Sequence, residues 1–145
     1  MRIERSTVID RPIGEVFAFI SDPTNDPRWC HKVVSVHQLM GEGPGPGASY
    51  AIVHKPVPGR PERRMEYECL AWEPPRQIDW RENDGTDVIR VTYKLEDLGG
   101  WTRMTQSDDA ELGAPRLLQP VFKAGIGRDI ARQLRALKEL LEEAI

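Results

Sequence analysis

The closing stretch KAGIGRDIARQLRALKELLEEAI, Lys123–Ile145, decides how the rest of the chain must be arranged. Ile126, Ile130, Leu134, Leu137 and Leu141 recur at intervals of 4, 4, 3 and 4, which places them on one face of an α-helix. Phe122 extends that stripe backwards, while Arg128, Arg132, Arg135, Lys138, Glu139 and Glu142 take other faces. Arg135 and Glu139 are spaced for an i,i+4 pair, whereas Glu142 and Glu143 sit at the unfavourable, negative end of the helix dipole. Pro120 would break a helix interior, so the regular helix is expected from about Gln119 onward, with APRLL as its lead-in. Running to Ile145, it would span about 39 Å at 1.5 Å per residue. A single apolar stripe of that length needs a long, curved sheet to lie on. Gly125 and Gly127 interrupt it, and each costs about 0.5–1 kcal/mol relative to alanine. They are expected to leave room for sheet side chains, a ligand or a bend. The alternatives are close packing or a helix that begins only after Gly127.

Upstream, RIERSTVI alternates polar and apolar residues and reads as a first strand. Asp10 is placed to cap a short helix over Arg11–Ile20, with Pro12 in its first turn and Val16, Phe17 and Ile20 on its apolar face. In SDPTNDPRW, Ser21 or Asp22 caps a second very short helix that reaches Trp29. Neither is long enough to stand alone in water. From Val33 to Leu112 the period changes to two, with turn signals between runs: VVSVHQLM, ASYAIVHK, RRMEYECLAW, QIDWR, DVIRVTYKLE and WTRMTQSDDAEL. The short connections make these six strands antiparallel.

The 145 residues suffice for one domain with its own core, expected to span 1–145. Twenty Lys and Arg against 23 Asp and Glu give a net charge of −3, which disfavours a nucleic-acid partner. Cys30 and Cys69 are too few for a disulfide framework or a zinc site, and His31, His37 and His54 lack metal-ligand spacing, so no metal is expected. The glycines at 43, 45 and 47 do not open a helix after a strand, which argues against a phosphate cradle. No apolar run reaches the length of a membrane span, and the first residues lack the apolar core of a signal peptide. The expected location is the cytoplasm.

The order of elements, together with IDRPIGEVFAFISDPTNDPRW, EPPRQIDWR and YKLEDLGGWTRMT, resembles the START-like SRPBCC superfamily, and within it the polyketide cyclase/dehydrase and lipid-transport branch. The resemblance covers essentially the whole chain. It implies an α+β helix-grip fold: a seven-stranded curved antiparallel sheet wrapped around a long C-terminal helix, with two short helices after the first strand. A deep cavity would lie between sheet and helix. Such folds serve as ligand carriers, cyclases, ring-hydroxylase subunits and stress-response proteins, so the fold alone assigns no one activity.

Strand alternation sorts the residues that would face that cavity. Tyr50, Ile52 and His54 share one face; so do Met65, Tyr67, Cys69 and Ala71; then Ile78 and Trp80; then Ile89, Val91, Tyr93 and Leu95; and Thr102, Met104 and Gln106. The ligand-binding candidates are Tyr50, Ile52, His54, Met65, Tyr67, Trp80, Val91, Tyr93, Met104, Gln106, Phe122, Gly125 and Ile126. This mainly apolar wall with a few hydroxyls, an amide and an imidazole suits a small hydrophobic ligand, lipid-like, isoprenoid or aromatic. An alternative is a cofactor-independent cyclase or dehydratase, with His54 as base and Tyr67, Tyr93 or Gln106 as donors to an enolate oxygen. A second is a co-chaperone-like interaction module, which would need an exposed apolar patch that no segment requires. No cofactor is expected, and the chain would be a monomer or a homodimer. The loop PVPGRPERR is expected at the cavity mouth with solvated arginines.

Overall fold

The computed structural model describes residues 1–55, 62–85, 87–111 and 115–143. The chain forms β1 (Arg2–Ile9), α1 (Ile13–Ile20), a 3₁₀ helix (Pro23–Arg28), β2 (Val33–Met40), β3 (Ser49–His54), β4 (Arg63–Glu73), β5 (Gln77–Asn83), β6 (Val88–Asp97), β7 (Thr102–Glu111) and α2 (Gln119–Glu143). The seven strands make one sheet in the order β1-β7-β6-β5-β4-β3-β2, every pairing antiparallel. This is the helix-grip architecture expected from the sequence. Of the loop expected at 56–64, residues 56–61 lie outside the described residues, while Arg63 and Arg64 instead open β4. Leu112 and the last two positions of the helix also lie outside them.

Local chemistry explains the element ends. Pro12, extended and without an N–H, occupies the N-cap of α1, so the helix starts at Ile13 rather than Arg11 and Asp10 does not cap it. Asp22 does cap the 3₁₀ helix, accepting from the Thr24 backbone N–H at 3.0 Å. Gly99 and Gly100, at φ +84° and +93°, make the β6–β7 turn in a region that other residues enter only at a cost.

Alternation holds through most of the sheet. In β6, Val91, Tyr93 and Leu95 are buried and Arg90, Lys94 and Glu96 exposed. It fails in β4, where a bulge between Cys69 and Ala71 shifts the register. Trp72 then lies across from Ile78, and its ring meets Phe17 of α1 edge-on at 5.3 Å. The inward position expected for Ala71 therefore passes to Trp72, because one extra residue flips the faces beyond it.

Helix α2 lies along β1. Its buried residues are Gly127, Ile130, Leu134 and Leu137. Lys138 Nζ donates to the Val8 carbonyl at 2.7 Å, and Arg11 Nη2 donates to the Glu142 carbonyl at 2.8 Å. The i,i+4 pair Lys138–Glu142, at 2.7 Å, accounts for an acid at the negative helix end: Lys138 holds the Glu142 carboxyl below its usual range. Gly127 packs against β1, since a Cβ there would meet Arg5 Nη2 at 2.5 Å and Ile3 Cγ2 at 3.4 Å. Gly125 has open space around it. The two glycines thus separate: one serves close packing and the other stands clear of any neighbour.

Towards its start, α2 lifts off the sheet. Ile126 is only half-buried, and Phe122, Val121, Leu118 and Leu117 are exposed, at 47%, 68%, 48% and 92%. An apolar patch that the sequence did not require is therefore present at this end.

Candidate functional site

Beneath the overhanging part of α2 lies a cavity of about 1050 Å³. Cross-strand register sets the inward sheet residues beneath it in rows, only part of each reaching the cavity. Tyr50, Tyr67, Glu82, Ile89 and Ala110 run side by side across β3, β4, β5, β6 and β7. The next row carries Trp80, Val91, Asp108 and Ile3, and the one beyond it Ile78, Tyr93, Gln106 and Arg5. Asp26 and Cys30, from the 3₁₀ helix and the turn after it, close one side, and Phe122, Ile126 and Gln133 of α2 close the top.

Of the residues singled out from sequence, His54, Met65, Tyr67, Tyr93, Gln106, Phe122 and Ile126 line this space. Tyr50, Ile52, Trp80, Val91 and Met104 point inward too, but they are packed out of reach, each at 2% exposure or less. Tyr50 and Trp80 meet edge-on at 5.9 Å instead of presenting a ring to the cavity. Gly125 is not part of the lining. Of the arginines expected to be solvated, Arg63 forms an ion pair with Asp84.

The wall is less greasy than alternation alone suggests, because six acidic residues line it, Glu62, Asp84 and Asp87 together with Asp26, Glu82 and Asp108, and burial lifts the last three. Two of them follow from the same alternation rule carried one step further. Glu82 continues Ile78–Trp80, and Asp108 continues Met104–Gln106. An acid in an inward register is the signal that was there to be read. Asp26 has no such signal; the turn that buries it depends on packing under β2.

Burial sets the electrostatics. It pushes the Glu82 carboxyl up to about 8, reinforced by Asp108 and opposed by the Tyr67 hydroxyl opposite it. Burial also lifts Asp108 to about 6, against the pull of its bond from Gln106 Nε2 at 3.1 Å. Glu82 and Asp108 keep some accessible surface because the cavity itself reaches them. Burial raises Asp26 well above the usual carboxylate range, with Glu82 and Asp22 adding to it. The Tyr67 and Tyr93 hydroxyls and the Cys30 thiol are likewise driven up by burial. His54 moves the other way, down to about 4, through burial and then the nearby Lys32 and Arg63 charges. At neutral pH the site therefore holds a protonated Glu82, a largely ionised Asp108 and a neutral His54.

Among the described residues, three buried side-chain polar atoms on the lining have no partner: Gln106 Oε1, His31 Nδ1 and His54 Nε2. Among the described residues, no group of three His, Cys, Asp or Glu side chains is arranged to hold a metal ion. No described helix is long and apolar enough to cross a membrane.

Solved structures share this arrangement. A START superfamily protein from Mycobacterium smegmatis is 13% identical, with 99% of each chain covered and a TM-score of 0.82. A protein from Thermus thermophilus is 18% identical over 100% of both chains, also at a TM-score of 0.82. The Zhui aromatase/cyclase from Streptomyces sp. R1128 is 12% identical, covering 98% of this chain and 93% of its own, at 0.76. At these identities the likeness is one of fold. No curated protein matches the chain in sequence. Residues 1–142 match the model of the polyketide cyclase/dehydrase and lipid-transport family. A sheet curled around a terminal helix with an open cavity beneath it, joined to that match over nearly the whole chain, makes this protein a member of the polyketide cyclase/dehydrase and lipid-transport family.

Proposed function

We propose that this protein binds a small, mainly apolar organic molecule in the cavity between its sheet and α2. The observation that carries the reading is the space itself, about 1050 Å³, just above the usual range of small-molecule sites, about 300–1,000 Å³. Met65, Ile89, Phe122 and Ile126 supply apolar contact, and Tyr67, Tyr93 and Gln106 supply orientation. The test uses the neutral dye Nile red. It is expected to bind with 1:1 stoichiometry, and Ile126→Trp, which fills the space under α2, is expected to weaken it tenfold or more. Saturable binding that Ile126→Trp leaves unchanged would place the dye elsewhere and overturn the reading.

One observation favours a second reading, an enzyme of the cyclase or dehydratase kind. The cavity holds a protonated and an ionised carboxyl at the same pH, the division of labour that acid–base chemistry needs. In this reading Asp108 removes a proton next to a substrate carbonyl, and the electron pair moves onto the carbonyl oxygen. Glu82, itself held by the Tyr67 hydroxyl, donates a hydrogen bond to that oxygen. His54, with its depressed basicity, is the weaker base of the two. Asp108→Asn is then expected to lower turnover of a poly-β-carbonyl substrate about 10²-fold or more. Turnover that survives this change removes Asp108 from the role.

A further inference from the structure

The acceptors facing the cavity are unevenly matched to donors. Gln106 is 4% exposed, its Nε2 already donates to Asp108 Oδ1 at 3.1 Å, and its Oε1 has no partner. The ionised Asp108 fixes that orientation, since turning the amide over would set oxygen against oxygen. Asp108 itself needs more than the one bond that Gln106 gives it. Across β6, Glu82 sits in the next inward row, and Asp26 closes the same side.

Among the described residues no cationic side chain bonds to this group. Arg5, beside Gln106 in the inward row, is not part of the lining and donates to the Glu4 carbonyl at 2.7 Å. Lys32 acts on Asp108, and Lys32 and Arg63 on Glu82, only through space. Lys32 is bound by Asp129 at 2.5 Å, and Arg63 is paired with Asp84. Lys32 and Arg63 are 42% and 39% exposed, and Lys55 and Arg64 are exposed as well, so the positive charge lies toward solvent. Gln106 and Asp26, at 4% and 5%, are deep. The cavity therefore holds unmatched acceptor capacity at Gln106 and Asp108, while the cations of the lining lie at its rim, Lys32 and Arg63 among acids of their own.

Resting on the reading that the cavity takes a small apolar molecule, we propose that it selects ligands bearing a basic nitrogen. The ligand's ammonium donates to the Asp108 carboxylate and to the free Gln106 Oε1, while a ligand carboxylate is kept out. One ammonium has three donors, enough to serve both atoms. A charge-assisted bond in a water-poor site is also stronger than a neutral one. A carboxylate in the same place would leave Gln106 Oε1 unpartnered and face Asp108 with like charge, which repels it at short range.

The experiment compares 2-naphthylmethylamine, 2-naphthylmethanol and 2-naphthoate by titration calorimetry at pH 7. The amine is expected to bind at least tenfold tighter than the alcohol, and the carboxylate at least tenfold more weakly than the alcohol. Asp108→Asn keeps the shape and the bond from Gln106. It is expected to reduce amine affinity about tenfold and alcohol affinity less than twofold. Gln106→Leu is expected to reduce amine affinity about fivefold in protein whose circular dichroism is unchanged. If the alcohol binds but the amine gains nothing over it, or if the carboxylate binds as well as the amine, nitrogen selection is wrong and the cavity reading stands. If none of the three binds, both fall.

Discussion

Replacing Glu82 by glutamine isolates the electrostatic strain of the cavity floor. In the folded protein this carboxyl titrates near 8, against an ordinary value of 4.5, mainly because it is buried. Between those two pH values the folded chain keeps a proton that the unfolded chain has released. Stability therefore falls as pH rises across that window, by about 1.36 kcal/mol per pH unit, or about 5 kcal/mol over the whole interval. The cavity admits solvent to Glu82, so roughly half of that, about 2–3 kcal/mol, is the realistic size. Glutamine has nearly the same shape, can still accept from Tyr67 and never ionises. Glu82→Gln should equal the parent protein at pH 4.5 and be about 2–3 kcal/mol more stable at pH 9, on the order of 8 °C in Tm. Urea unfolding followed by tryptophan fluorescence at pH 5, 7 and 9 reads this directly. A stability gap that does not widen with pH, or a variant less stable at pH 9, would refute the burial argument.

The two helix glycines should part company. Gly125→Ala meets nothing and should add about 0.5–1 kcal/mol of stability, whereas Gly127→Ala must displace the Arg5 guanidinium and should be close to neutral; chemical denaturation ranks them, and an equal gain at both sites contradicts the packing. His54 should show an NMR titration midpoint below pH 5. Because its folded pKa lies near 4 and its ordinary value is 6.5, acidification through that interval removes stability while changes above it do not; a midpoint near 6.5 counts against its burial. Lys138→Met deletes the bonds to the Val8 carbonyl and to Glu142 and should cost about 1–2 kcal/mol, read as a lower denaturation midpoint at unchanged slope.

Periodicity was enough to read the architecture. The stripe from Ile126 to Leu141, the six alternating runs after Val33 and the caps near Asp22 each depend on residues a few positions apart, and local geometry alone relates them to a helix, strands and turns. The same alternation, extended to Glu82 and Asp108, would have revealed two of the cavity acids. The rest needed the folded chain. Only the bulge after Cys69 tells which way Trp72 points. Which inward residues are sealed, like Trp80 and Met104, and which face open space, like Tyr67 and Gln106, depends on where α2 rests. That in turn follows from contacts between residues more than a hundred positions apart, Arg11 with Glu142 and Lys138 with Val8. These contacts hold the helix against β1 and leave the floor from β4 to β7 uncovered at its other end. Burial of acids in that uncovered floor, and so its proton chemistry, is a property of the assembled molecule: a carboxyl's pKa responds to the solvent it has lost, which no run of neighbouring residues specifies.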